Sequence, residues 1–240
     1  MAEVVPIFPL DVVLLPGAPL PLHIFEERYR RLVADVCAPG APRAFGVVSI
    51  RQGESTKPSD SITHGRPGKL SSSTGAGSGV ELADVGTLAE VVELEPYPDG
   101  RSDLLTIGSR RFELIEVDAS SRPYLCATIN WLPEHEGHLT HSHLGVARRL
   151  CERYGMTLAA LTGREPPDEE LAEDALRLSY QVAARLRLAT AERQGLLEAK
   201  TAAERLLAGM NLLRRETMLL TRTRTVPVSP HLLRVAPTSN

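Results

Sequence analysis

Lysine is scarce in this 240-residue chain: of 27 basic side chains, only Lys57, Lys69 and Lys200 are lysines. A serine–lysine peptidase needs a lysine desolvated beside a serine. Lys57 and Lys69 lie in a polar stretch and Lys200 adjoins Thr201 ahead of a helix, so that chemistry has no candidate. The arginine excess reads as coding bias. Cysteine is rarer in effect, because Cys37, Cys126 and Cys151 are far apart, odd in number and form no C-x-x-C. Neither a disulfide framework nor a zinc site is indicated, and a reducing cytoplasm is the expected compartment. Aromatics make up only 4% of positions. Residues 1–133 hold 12 Lys+Arg against 17 Asp+Glu, and residues 134–240 hold 15 against 13. A nucleic-acid surface needs a strong basic excess, which neither half has. No apolar run approaches the ~18 residues of a membrane span, and no secretory leader is expected.

Catalytic motifs are missing too. The nearest approach to a phosphate loop, Gly65 to Leu70 (GRPGKL), fails because G-x-x-x-x-G-K-[ST] requires glycine at Thr63 and a hydroxyl at Leu70. There is no G-x-S-x-G. His135, His138, His141 and His143 crowd into one short segment, but HEGH is not H-E-x-x-H. The segment reads as a solvated linker ahead of a helix capped at Thr140, with no metal expected. Asp168, Glu169 and Glu170 read as a helix start, where negative charge suits the dipole. Arg110 and Arg111 beside Phe112 could stack on bases, but the acidic balance of that half argues against it.

Proline, by contrast, is dense at the start. PIFPLDVVLLPGAPLPLHIFEERYRRLV carries Pro6, Pro9, Pro16, Pro19 and Pro21, which leaves room for edge strands and turns but not a central strand. Val12 to Leu15 is the longest uninterrupted extended piece, and Leu20 to Ile24 extends again after a turn. From Phe25 the period becomes helical: Phe25, Tyr29, Leu32, Val33 and Val36 form an apolar stripe expected to pack inward. Ala44 to Ile50 reads as a strand. Gly53 to Gly79 is a polar, Ser/Gly-rich insertion expected to be flexible. Gly86 to Glu95, Leu104 to Ile107, Arg111 to Val117 and Leu125 to Leu132 follow as strands, with a hairpin turn at Pro98-Asp99-Gly100. Many short strands with little helix predict a barrel or closed sheet.

From Thr140 onward the period is helical. Leu144, Ala147, Cys151 and Tyr154 make one stripe, and Leu171, Ala175, Leu178, Val182 and Leu186 a second. Thr201 and Glu204 form a capping box ahead of Leu206, Met210, Leu213 and Leu220. The expected organisation is a β-rich domain over 1–133, a bundle of three or four helices over 134–226, and a C-terminal tail over 227–240.

These blocks carry a family resemblance. PIFPLDVVLLPGAPLPLHIFEERYRRLV, then VGTLAEVVELEPYPDGRSDLLTIGSRRFELIE, then RPYLCATINWL resembles the N-terminal, substrate-binding domain of the ATP-dependent Lon proteases. The resemblance runs from Pro6 to about Leu132 and continues through the helices to Leu220; the insertion at 53–79 departs from the compact pattern. It implies an α+β chain: a β-rich PUA-like pseudo-barrel followed by an α-helical bundle. A complete Lon protease would add an ATPase and a peptidase, neither of which is legible in these 240 residues.

The expected role is therefore a stand-alone, non-enzymatic module without cofactor or metal. Its expected partners are unfolded or degron-bearing polypeptides or a partner protein, with no membrane and no nucleic acid. Candidate contacts for an apolar peptide are Leu22, Phe25, Tyr29, Phe112, Tyr124 and Trp131, although plain core packing is the favoured reading of each. A small-molecule or RNA-binding PUA-like protein is the alternative.

Overall fold

The computed structural model describes residues 3–51, 81–165 and 170–224. The insertion at 53–79 with Lys57, Lys69 and Gly65 to Leu70, the carboxylates Asp168 and Glu169, and the tail over 227–240 lie outside the described residues. The chain divides into two compact units, Met1–Pro133 and Glu134–Asn240. Among the described residues no helix is long and apolar enough to cross a membrane.

The first unit holds β1 (Glu3–Leu10), β2 (Pro19–Ile24), α1 (Glu27–Val36), β3 (Ala44–Arg51), β4 (Glu81–Leu82), β5 (Val85–Pro96), β6 (Ser102–Asp118) and β7 (Leu125–Trp131). Strands pair in the order β1-β7-β6-β5-β3, and β1 also pairs β3, which closes the sheet on itself. β2 lies off this path, against the first half of β6.

Proline in β1 is the first departure from expectation. The strand is not an edge: Glu3 to Ile7 pairs antiparallel with β7, and Ile7 to Leu10 pairs parallel with β3. The change of partner at Ile7 is what admits the prolines. Pro6 faces Cys126 of β7 before the β3 pairing begins, and Pro9 faces Val48 of β3 after the β7 pairing has ended. Each missing N–H therefore falls where the strand has one neighbour. Val12 to Leu15, expected to be extended, lies outside any strand yet is buried from Val13 to Leu15. Its carbonyl at Leu14 accepts a hydrogen bond from the Thr87 hydroxyl at 2.7 Å.

The two runs around Gly108 are one strand. β6 continues through Gly108 because Leu15 O would lie 2.3 Å from a Cβ there, so only glycine lets the buried segment cross it. The β5–β6 turn forms at Pro98-Asp99-Gly100, with Gly100 at φ 83° and Tyr97 N donating to Arg101 O at 2.8 Å.

Two apolar clusters fill the unit. One joins Phe8, Tyr29, Leu32, Val36 and Phe45 beneath α1; the other surrounds Phe112 with Ile7, Val48 and Ile129. Phe112 fits because Gly46 and Gly86 face its ring: a Cβ on either would come within 2.8 Å or less of the ring's Cζ.

The second unit holds α2 (His141–Thr162), α3 (Ala175–Arg185), α4 (Thr190–Glu198) and α5 (Ala202–Thr223). Thr140 caps α2, and His143 completes the box by accepting from Thr140 N through Nδ1 at 3.2 Å. Thr201 caps α5 by accepting from Glu204 N at 3.1 Å, while the Glu204 carboxylate turns to Lys200 N instead of Thr201 N. Ala202 N and Ala203 N donate to the carbonyls of His135 and Glu136, so the segment before α2 satisfies the open end of α5.

Arg205 lies at the centre of this unit with 0% exposure. It donates to Leu196 O at 3.0 Å, Ala199 O at 3.3 Å and Ser179 Oγ at 3.0 Å, and its guanidinium lies 3.8 Å from the Tyr180 ring centroid. Glu134 supplies the counter-charge at 3.7 Å and accepts from the Tyr180 hydroxyl at 2.7 Å.

Candidate functional site

The structure places the six candidate contacts very differently. Phe112 is 0% exposed, Tyr124 3% and Tyr29 8%, so all three are core side chains. Tyr29 stacks on Phe8 with ring centroids 3.9 Å apart, and burial raises its phenol pKa. Tyr124 donates to Asp35 on α1 at 2.5 Å, and Arg122 donates to the same carboxylate at 2.9 Å. Burial foremost, and then that acceptor, push the Tyr124 phenol up to about 12. Leu22 is half-buried and packs against the cluster beneath α1. Trp131 is half-buried, edge-on to Phe112, covered by the Arg110 guanidinium at 4.3 Å, and donates to Glu3 at 2.8 Å.

Phe25 is the exception, at 59% exposure, and it corrects the inward stripe expected from Phe25 onward. The helix starts only at Glu27 with Glu26 as its N-cap, so Phe25 lies outside it, directly after the end of β2. In β2, Pro19, Pro21 and His23 are exposed while Leu20, Leu22 and Ile24 turn inward, and Phe25 continues that alternation outward. Period two, not 3.6, decides its direction.

Around Phe25 lies a group that sequence reading passed over. His23 hydrogen-bonds through Nδ1 to Asp103 Oδ1 at 2.5 Å, and the Tyr97 hydroxyl donates to Asp103 Oδ2 at 2.7 Å. The Phe25 and Tyr97 ring centroids each lie 6.2 Å from that of His23. The hydrogen bonds from Tyr97 and then His23 hold the Asp103 carboxyl below its usual range. The only cue was the hairpin turn after Tyr97, which fixes β5 against β6 but does not reveal that β2 joins them.

Catalytic and metal-binding readings find little to build on. Lys200 is exposed. Among the described residues no three of His, Cys, Asp and Glu are grouped as metal ligands. His143 is occupied as a helix cap. Burial raises the pKa of Cys37, Cys126 and Cys151, which disfavours the reactive thiolate.

Known proteins with similar sequences and folds agree with this architecture. The Lon protease of Cytophaga hutchinsonii is 22% identical over 95% of this chain and 26% of its own length. The Lon protease of Flavobacterium johnsoniae is 26% identical over 84% of this chain and 23% of its own length. The chain thus spans about a quarter of these relatives. The crystal structure of a Lon N-terminal domain protein from Xanthomonas campestris superposes with a TM-score of 0.59 at 25% identity, covering 85% of this chain and 95% of that one. The N-terminal domain of the Mycobacterium avium complex Lon protease shares the fold at a TM-score of 0.50 and 16% identity, covering 88% of this chain and 98% of that one. Residues 4–215 match the sequence model of the ATP-dependent protease La (Lon) substrate-binding domain, and the chain belongs to that family.

Proposed function

We propose that this chain is a non-catalytic recognition module that binds unfolded or degron-bearing polypeptides in the cytoplasm. The observation that carries this reading is the match of residues 4–215 to a domain family defined by substrate binding. The filled barrel supports the same view: Phe45 and Phe112 occupy its interior with no exposure, which directs recognition to the outside of the sheet. Of the six candidate contacts, Phe25 is the one that presents a large apolar surface without unfolding the protein.

Binding is tested with reduced, alkylated casein and a folded control protein by fluorescence anisotropy. The chain should bind the unfolded probe and spare the folded one, and should neither hydrolyse ATP nor cleave casein. Equal affinity for both probes, or turnover abolished by a mutation in this chain, would overturn the reading.

A further inference from the structure

The outer face of the three-stranded segment β2–β6–β5 is exposed and apolar. Register defines it: Pro19 lies opposite Ile107, Pro21 opposite Leu105, and His23 opposite Asp103. Their sequence neighbours Leu104, Thr106 and Ile24 are buried on the other side. Ile107, paired to Pro19 on one side and Glu90 on the other, is still 40% exposed, and Val92 is 50% exposed. A bulge at Val92 keeps both Val92 and Glu93 pointing outward, because Val91 pairs with buried Thr106 while Glu93 pairs with Leu105.

The same register brings a row of carboxylates alongside. Glu90, Glu93 and Glu95 lie opposite Ile107, Leu105 and Asp103, all three exposed and without an ion pair among the described residues. The nearby Arg101 is held by Asp99 at 2.7 Å. At the far end, Asp103 fixes His23 and Tyr97, and Phe25 lies beside His23 to complete an aromatic frame.

We infer that this face docks an unfolded polypeptide segment whose apolar side chains are flanked by arginine or lysine, an inference that rests on the polypeptide-recognition reading above. Three strands make it roughly 10 Å across and about 17 Å long, room for about five extended residues. Apolar side chains cover Pro21, Leu105 and Ile107; basic side chains reach the unpaired glutamates; a cation at the end of the segment meets the aromatic frame. Strand addition at β2 is obstructed. Its outward-facing positions include Pro19 and Pro21, which lack the N–H groups that a new strand would need. The ligand is read by side chains across the face. The carboxylate row repels nucleic acid from the same surface.

The experiment uses two labelled peptides with the same leucine–phenylalanine centre, flanked by arginines in one and by glutamates in the other, with alkylated casein as a third probe. The arginine peptide should bind at least about tenfold more tightly at low salt. Combining Glu90→Gln, Glu93→Gln and Glu95→Gln should abolish that preference. Ile107→Ser with Phe25→Ser should weaken casein and the arginine peptide about tenfold, while Met156→Ser in the helical unit leaves both unchanged. Circular dichroism melts confirm that each variant is folded. If casein binds the wild type and these variants equally, polypeptide recognition stands and this surface is refuted. If no probe binds the wild type, both readings fail. Concentration-dependent dimerisation abolished by Ile107→Ser would assign the face to a second copy and overturn the inference.

Discussion

The two units bury their largest side chains for opposite reasons. The barrel closes around Phe112, a hydrocarbon ring against two glycines, and the helical unit closes around Arg205, a charged guanidinium. Backbone chemistry accounts for the difference. A closed sheet pairs its backbone groups between strands, so its interior can be apolar. Helices leave their last carbonyls without intrahelical donors, and the last turn of α4 carries the buried Leu196 and Leu197. Arg205 donates to the carbonyls of Leu196 and Ala199 at that end. Arginine does similar work elsewhere in the unit: Arg193 donates to Ala184 O near the end of α3, and Arg148 to Ala172 O. An arginine excess that reads as coding bias is, at these positions, a supply of long forked donors.

The comparison breaks most visibly at Arg205. Arg205→Met should destabilise the helical unit by about 3–5 kcal/mol, because Glu134 loses its counter-charge and the carbonyls of Leu196 and Ala199 lose their donors. Arg205→Lys should rescue little, since one ammonium cannot reach three separated acceptors in a fork. Urea unfolding followed by circular dichroism measures both, and a wild-type midpoint in Arg205→Met would show the guanidinium to be dispensable.

In the barrel the sensitive quantity is space rather than charge. A Cβ at Gly86 would meet Phe112 Cζ at 2.6 Å and Val47 O at 2.7 Å, and the carbonyl is backbone that cannot yield. Gly86→Ala should therefore cost about 1–3 kcal/mol. Gly46→Ala should cost less, because its nearest atom is the flexible end of Ile7 at 2.7 Å. Adding Phe112→Leu to Gly86→Ala should recover part of the loss; strict additivity would show that the ring does not set the limit.

The smallest effect is gated by pH. Tyr124 has its phenol pushed up to about 12, above its ordinary value of 10.0. Its neutral form therefore stabilises the barrel fully below about pH 10, and that contribution is lost as the pH rises toward about 12. Across this window the wild type should lose stability relative to Tyr124→Phe. Parallel pH dependences of the two urea midpoints would remove Tyr124 from the linkage.

How far the sequence could be read depended on which period governs a residue. The spacing of apolar residues located β3, β5 and β7 well, by alternation in β7 and by an apolar run in β3, which is buried on both faces from Ala44 to Ser49. It divided β6 at Gly108, where a close crossing requires glycine without ending the strand. Phe25 is compatible with both the strand before it and the helix after it, and only the position of the N-cap at Glu26 settles its direction. Arg205 was illegible for another reason. A charged residue on an amphipathic helix reads as solvated, and its partners Glu134, Ser179 and Tyr180 belong to other segments. The candidate docking face has the same character, because Pro21, Leu105 and Glu93 become neighbours only once β2, β6 and β5 are in register.

The change of partner in β1 has a consequence for how the protein is made. Within the barrel, β1 is made before its partner: it pairs Glu3 with Ile129 and Val5 with Ala127 on β7, the strand of this unit that comes last in the chain. Until β7 has emerged, one side of β1 lacks its partner, and the apolar side chains of Val5 and Ile7 wait in water beside it. Pairings so distant in sequence are slow to form, and an unsatisfied strand is exposed to wrong partners meanwhile. Pro6 and Pro9 interrupt the donors along that waiting strand, so the residues that allow it to change neighbours in the finished barrel also make it a poor template for aggregation while the chain is incomplete.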